Sequence, residues 1–118
     1  MTITLTTLPQ ATAQEVFDQV SAHLLKQKEK SLEDGKCRYK GPRNLLCAAG
    51  CLISDSEYRR EMEGQSWSDL ISDGWVPDTH ESLICELQDV HDAYSVHKWK
   101  EELKETSEHY NLIFKEPT

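Results

Sequence analysis

Three of the four cysteines in this 118-residue chain lie in one short stretch, at Cys37, Cys47 and Cys51. Thiols at such spacing are typical of metal sites and of redox pairs, because the thiolate is both a metal ligand and a nucleophile. The spacing C-x9-C-x3-C differs from the usual zinc patterns, and only three of the four ligands that a structural zinc needs are local. If the cluster binds a metal, the fourth ligand has to be a distant histidine, with His91 and His23 as the options.

Two other interpretations of these cysteines remain open. A free cysteine often packs as a small apolar side chain, and the small residues at 48–50 favour that arrangement. Cys47 or Cys51 could also form a nucleophile pair with His91. On balance, we expect the cluster to hold no metal or other cofactor.

His91 and Asp92 are neighbours in sequence on a predicted helix that also contains Cys85. Residues next to each other in sequence do not face each other on a helix, so we expect that Asp92 does not orient His91. Cys85 is predicted to lie far from the apolar face of this helix. Its thiol should therefore point to solvent or to a partner.

The formal net charge of −8 is distributed unevenly along the chain. Residues 61–92 contain nine acids and no Lys or Arg, whereas residues 26–43 contain seven bases and three acids. This pattern fits a solvated face that pairs internally, an acidic docking surface, or a mimic of nucleic-acid charge. We favour the docking surface for a protein with a basic surface, and direct nucleic-acid binding is not expected. The predicted partner-binding residues are Asp69, Asp73, Glu81, Cys85, Glu86, Asp89 and Asp92.

Length and motifs narrow the class of protein. A chain of 118 residues predicts a single globular domain over 1–118. No apolar run approaches membrane-spanning length, and the first residues do not resemble a secretion signal, so we expect a cytoplasmic location with free thiols. The sequence has no phosphate-binding loop, nucleophile elbow, zinc-protease or calcium-loop motif. These observations make an enzyme less favoured than a binding protein.

Hydrophobic periodicity predicts a mainly α fold, with about five helices packed on one short β-hairpin. The helices are predicted at about 12–28, 55–62, 66–74, 79–94 and 95–110, with a further short turn of helix at 48–53. The hairpin is predicted to pair 37–40 with 45–48 across Gly-Pro-Arg-Asn. In the helix at 79–94, the core stripe is predicted to be Leu83, Leu87, Val90 and Tyr94, with His91 partly buried beside it.

The segments C-R-Y-K-G-P at 37–42, L-C-A-A-G-C-L-I at 46–53 and M-E-G at 62–64 resemble a family of small, uncharacterised bacteriophage and prophage proteins. Position 54 departs from that pattern, because Ser54 replaces the usual proline. The resemblance carries over no catalytic residues. It implies a non-enzymatic accessory protein in the host bacterial cytoplasm that binds, and thereby inhibits, a host protein such as a defence component.

Overall fold

The computed structural model describes residues 2–115. Within this range the fold is mainly α with a small β element, as predicted, but it has four α-helices rather than about five. The regular elements are α1 (Ala13–Gln27), β1 (Leu32–Glu33), β2 (Lys36–Cys37), α2 (Trp67–Ser72), α3 (Glu81–Ala93) and α4 (Trp99–His109). Short 3-10 turns lie at Leu8–Gln10, Pro42–Asn44, Ala49–Leu52, Arg60–Met62 and Val96–Lys98.

Local capping signals explain where α1 and α2 begin. The Thr12 side chain accepts the Glu15 N–H while the Glu15 carboxylate accepts the Thr12 N–H, which forms the predicted capping box. The Ser66 side chain caps α2 by accepting the Asp69 N–H. Gly74 follows α2 with a positive φ of 79°, a conformation that glycine adopts without steric cost.

The hairpin lies earlier in the chain than predicted. β1 and β2 are antiparallel, pairing Leu32 with Cys37 across a turn at residues 34–35 in which both residues have positive φ. This is the backbone that Asp-Gly favours in a tight hairpin turn. The predicted pairing of 37–40 with 45–48 is reduced to one bridge, between Lys40 and Leu46.

The predicted helix at 55–62 is replaced by a turn and the 3-10 turn at Arg60–Met62. Arg59 has extended backbone angles, φ −132° and ψ 136°, and interrupts the helical path. The Glu57 carboxylate accepts the Ser54 N–H as in a capping box, so the chain begins a turn at this point but does not continue it as a helix.

α3 forms the centre of the core and packs against α1, α2 and α4. Leu83, Leu87 and Val90 are buried as predicted, and His91 is completely buried rather than partly so. The prediction for Tyr94 is wrong: this residue is 39% exposed. Its backbone is extended because α3 ends at Ala93, which turns the side chain away from the stripe.

The segment 49–52 packs tightly against the backbone that follows β2. Gly50 lies so close to the Tyr39 backbone that a Cβ atom at position 50 would overlap the Tyr39 carbonyl oxygen. A glycine at this position therefore allows the segment 49–52 to approach Tyr39. Among the described residues, no helix combines the length and the apolar character needed to cross a membrane.

Candidate functional site: a thiol network beside an acidic pocket

Cys37 and Cys47 are neighbours in space although nine residues separate them in the chain. The Lys40–Leu46 bridge closes the intervening turn and brings the Cys47 thiol next to the Cys37 sulfur, close enough to affect its ionisation. Cys37 is half-buried, whereas Cys47 is completely buried behind it. The Gly50 N–H donates to the Cys47 sulfur at 3.3 Å and fixes its position.

His91 is held at both ring nitrogens. The Ser31 N–H donates to His91 Nε2 at 3.0 Å, so the neutral ring carries its proton on Nδ1. Nδ1 then donates to Asp92 Oδ1 at 2.7 Å. The expectation that Asp92 cannot orient His91 is therefore wrong. The rule describes Cβ directions, and here, in the last turn of α3, the short carboxylate folds back to reach the ring.

Gln88 connects these two parts of the site. Its Nε2 donates to Cys37 Sγ at 3.3 Å and to Asp92 Oδ1 at 2.9 Å. Its Oε1 accepts the Ala49 N–H at 2.9 Å. One amide thus links α3, β2 and the segment that carries Cys47. Sequence analysis missed Gln88, although its position three residues before His91 places it on the neighbouring turn of the same helix.

The network shifts the pKa values of the two thiols in opposite directions. The Cys47 thiol donates a hydrogen bond that lowers the pKa of Cys37; together with His91 it outweighs burial and Asp92, and the pKa falls to about 6. Burial, together with the neighbouring Cys37, raises the pKa of Cys47 well above its ordinary value. Near neutral pH the pair therefore consists of a thiolate at Cys37 and a protonated thiol at Cys47.

The remaining two groups form a coupled acid–base pair. Burial lowers the pKa of His91, but the hydrogen bond with Asp92 and the nearby Cys37 raise it by more, so the net direction is upward. Burial raises the pKa of Asp92, and the hydrogen bond with His91 lowers it by more. A proton on His91 Nε2 would oppose the Ser31 N–H, so the contact with Ser31 requires the neutral ring.

The predicted metal ligands Cys37, Cys47, Cys51 and His91 do not assemble as one set. A sulfur of Cys37, a ring nitrogen of His91 and an oxygen of Asp92 do lie within 4.8 Å of one another. However, one His91 nitrogen holds a proton for Asp92 and the other accepts from Ser31, so a metal would have to displace one of these bonds. The geometry is that of a hydrogen-bonded network, and the ring nitrogens do not fit a ligand set as they stand.

Cys51 and His23 lie outside this network. The Cys51 thiol donates to the Ala48 carbonyl at 3.2 Å, and burial raises the pKa of this thiol to about 12. His23 Nε2 contacts the Leu46 carbonyl at 2.9 Å. Burial lowers the pKa of His23, which favours a neutral ring that donates to this carbonyl. Both residues are half-buried, and their contacts with backbone carbonyls are structural.

A pocket of about 480 Å³ opens next to Cys37, between β2, the segment 64–67 and α3. One of its walls contains Trp67, which is buried and whose indole Nε1 has no hydrogen-bond partner among residues 2–115. An unpaired buried donor costs free energy, so such a group is uncommon in a folded protein. The lining consists of Lys36, Cys37, Tyr39, Gly64, Gln65, Ser66, Trp67, Cys85, Gln88, Asp89 and Asp92.

The structure divides the predicted partner-binding residues into two groups. Asp69, Asp73 and Asp89 are exposed, and their carboxylates form no hydrogen bond or ion pair within the described part of the chain. The other carboxylates are engaged: Glu81 accepts from Ser68, Glu86 contacts His109, and Asp92 belongs to the thiol network. Three acids therefore remain free to meet a partner.

Cys85, which is predicted to point to solvent or to a partner, is not freely exposed to solvent. It is half-buried in the pocket wall, and its sulfur lies 3.6 Å from Ser68 Oγ. Cys85 lies on α3 as predicted, but α2 covers that side of the helix. This packing between distant segments leaves no signal in the local sequence pattern.

The comparisons with known proteins return no match. No protein-family model matches the chain. No curated protein matches it, and no solved structure does. The resemblance to phage proteins therefore stays a prediction.

Proposed function

We propose that this chain is a non-enzymatic binding protein that receives a basic segment of a partner protein on its acidic surface. We define the acidic surface as Asp69, Asp73, Glu81, Cys85, Glu86, Asp89 and Asp92. The observation that carries the proposal is the pocket within this surface, which has Asp89 and Asp92 in its lining.

Charge complementarity identifies the occupant. Lys36 is the cation in the pocket lining, whereas two carboxylates lie on the side of α3. The basic region at 26–43 neutralises little of the acidic region: among the described residues, Arg38 pairs with Glu63, and Lys30 donates to the Asp92 carbonyl. An excess of unpaired carboxylates attracts a cationic partner and speeds its association.

The pocket suits an extended basic segment better than a bare cation. A Lys or Arg side chain of the segment can pair with Asp89, and its backbone supplies carbonyl acceptors for the pocket wall. The half-buried Cys85 and the ring of Tyr39 provide apolar area for the rest of the segment.

The biological setting follows from the resemblance described above. A phage accessory protein in the host cytoplasm would use this surface to cover a basic region of a host protein, and thereby inhibit it. Proteins with such regions include nucleic-acid-binding enzymes of host defence. This setting is part of the proposal and depends on the resemblance alone.

The surface can be tested with a defined probe and two charge-matched variants. The probe is a fluorescent peptide rich in Lys and Arg, with an acidic peptide of equal length as its control. Asp69→Asn, Asp73→Asn and Asp89→Asn neutralise the three free acids. Glu101→Gln, Glu105→Gln and Glu108→Gln on α4 give the same net charge elsewhere, because these positions are also exposed.

We expect the first variant to bind the basic peptide about tenfold more weakly, which corresponds to about 1.4 kcal/mol. The α4 variant should bind nearly as the parent does, and high salt should weaken parental binding by screening. Equal losses in both variants would show that only net charge matters and would contradict a localised surface. The same pair of variants then tests any host protein that a pull-down identifies.

A further inference from the structure

The two adjacent thiols form a feature that partner binding does not require. Cys37 lines the open pocket, and Cys47 lies directly behind it in the interior. A small molecule in the pocket can therefore reach Cys37, whereas Cys47 is reached through Cys37. This arrangement, one accessible sulfur backed by one buried sulfur, is that of a reactive thiol and its resolving partner.

The surroundings of Cys37 stabilise a negative charge on its sulfur. Gln88 Nε2 donates to the sulfur at 3.3 Å, and the Cys47 thiol donates a second hydrogen bond. His91 faces the same sulfur from α3, with Asp92 opposing it. Lys36, Cys85 and Asp89 line the same pocket. The Cys47 thiol, together with His91, lowers the pKa of Cys37 to about 6, so the nucleophilic form predominates near neutral pH.

We propose that Cys37 and Cys47 form a peroxide-sensitive thiol pair, in which Cys37 is oxidised first and Cys47 resolves it to a disulfide. The Cys37 thiolate attacks one oxygen of hydrogen peroxide, the O–O bond breaks, and hydroxide leaves. Cys37 now carries a sulfenic acid. The Cys47 sulfur then attacks the Cys37 sulfur, an S–S bond forms, and the S–O bond breaks. The departing hydroxide takes the Cys47 proton and leaves as water.

The first step prepares the second. The charge on Cys37 is one of the causes that raise the pKa of Cys47. Formation of a sulfenic acid removes that charge, so Cys47 loses its proton more readily after Cys37 has reacted. The order of events, Cys37 before Cys47, thus follows from burial and from charge together.

The first experiment uses the intact parental chain and requires no substitution. The rate of iodoacetamide labelling is measured at each cysteine by peptide mass spectrometry across a pH series. We expect Cys37 to react fastest, with a midpoint near pH 6, and Cys85 in the same pocket to serve as the internal control. A Cys37 midpoint equal to the ordinary thiol value of about 8.5 would overturn the proposal.

The second experiment tests the resolving step with hydrogen peroxide as the oxidant. The parental chain should form a Cys37–Cys47 disulfide, and Cys85→Ser should do the same. Cys47→Ser should instead accumulate a sulfenic acid at Cys37, which a dimedone probe captures, whereas Cys37→Ser should give neither product. Equal oxidation at all four cysteines, or a dominant disulfide through Cys85, would overturn the proposal. Because the parental mass spectrum contains the disulfide, the proposal remains testable if Cys47→Ser does not fold.

Discussion

At the scale of single residues, the most informative side chain is Gln88. Its amide donates to Cys37 and Asp92 and accepts from Ala49, so it positions three segments around one sulfur. The cysteine spacing in the sequence shows which thiols are close, but not which donors stabilise a thiolate. That information comes from a contact between residues 37 and 88, and no local pattern encodes it.

The role of Gln88 yields a quantitative prediction. Gln88→Met keeps the length of the side chain but removes the donor to Cys37 Sγ. We expect the labelling midpoint of Cys37 to rise by about one pH unit, because a hydrogen bond to a charged group contributes about 1.5–3 kcal/mol and one unit equals 1.36 kcal/mol. Gln88→Glu retains an acceptor for the Ala49 N–H and adds negative charge, so its midpoint should rise further. An unchanged midpoint in both variants would show that Gln88 does not stabilise the thiolate.

The burial of His91 could be predicted from the sequence, but its hydrogen-bond partners could not. Apolar periodicity places it correctly beside the core face of α3, and it stacks on Trp99 with ring centroids 5.6 Å apart. The ring is nevertheless fixed by the Ser31 N–H, sixty residues earlier in the chain. Periodicity predicts which side of a helix is buried, whereas the partner of a buried polar group depends on how distant segments meet.

At the scale of elements, the local signals proved sufficient for three helices. The capping box at 12–15, the Ser66 cap and the apolar stripe of α3 are each contained within one element, so they could be predicted. The position of the hairpin could not, because Asp-Gly and Gly-Pro both signal turns and the choice between them depends on packing. The helix predicted at 55–62 is absent because the backbone of Arg59 is extended and interrupts the helical path.

The packing of α3 can be tested by shortening one side chain. Leu87 is completely buried, so Leu87→Ala should lower the free energy of unfolding by about 2–5 kcal/mol. Ser82 is exposed on the same helix, and Ser82→Ala should change the free energy of unfolding by no more than about 0.5 kcal/mol. Urea unfolding followed by circular dichroism measures both. Equal midpoints for Leu87→Ala and the parental chain would contradict the placement of α3 at the centre of the core.

At the scale of the whole molecule, one carboxylate holds the beginning of the chain against the middle. Glu57 accepts the N–H groups of Leu5, Thr6 and Ser54, and also the Thr6 hydroxyl. Burial raises the pKa of Glu57, but these four donors lower it by more, to about 2. Since the charged form is the one that binds the N-terminal segment, the stability of this contact depends on pH.

Glu57 should therefore contribute to acid unfolding. A carboxyl whose pKa is lower in the folded state stabilises the fold above its ordinary pKa of about 4.5, and this contribution is lost as the pH falls towards 2. We expect Glu57→Gln to lower the free energy of unfolding by about 1–2 kcal/mol at neutral pH, a value reduced for solvent exposure. The difference from the parental chain should shrink between about pH 5 and pH 2. Glu61→Gln, which removes an exposed acid from the same region, is the matched control and should follow the parental curve. If Glu57→Gln were less stable than the parental chain by the same amount at every pH, the negative charge of Glu57 would not be the cause of the stabilisation. The loss would then come from the shape of the side chain alone.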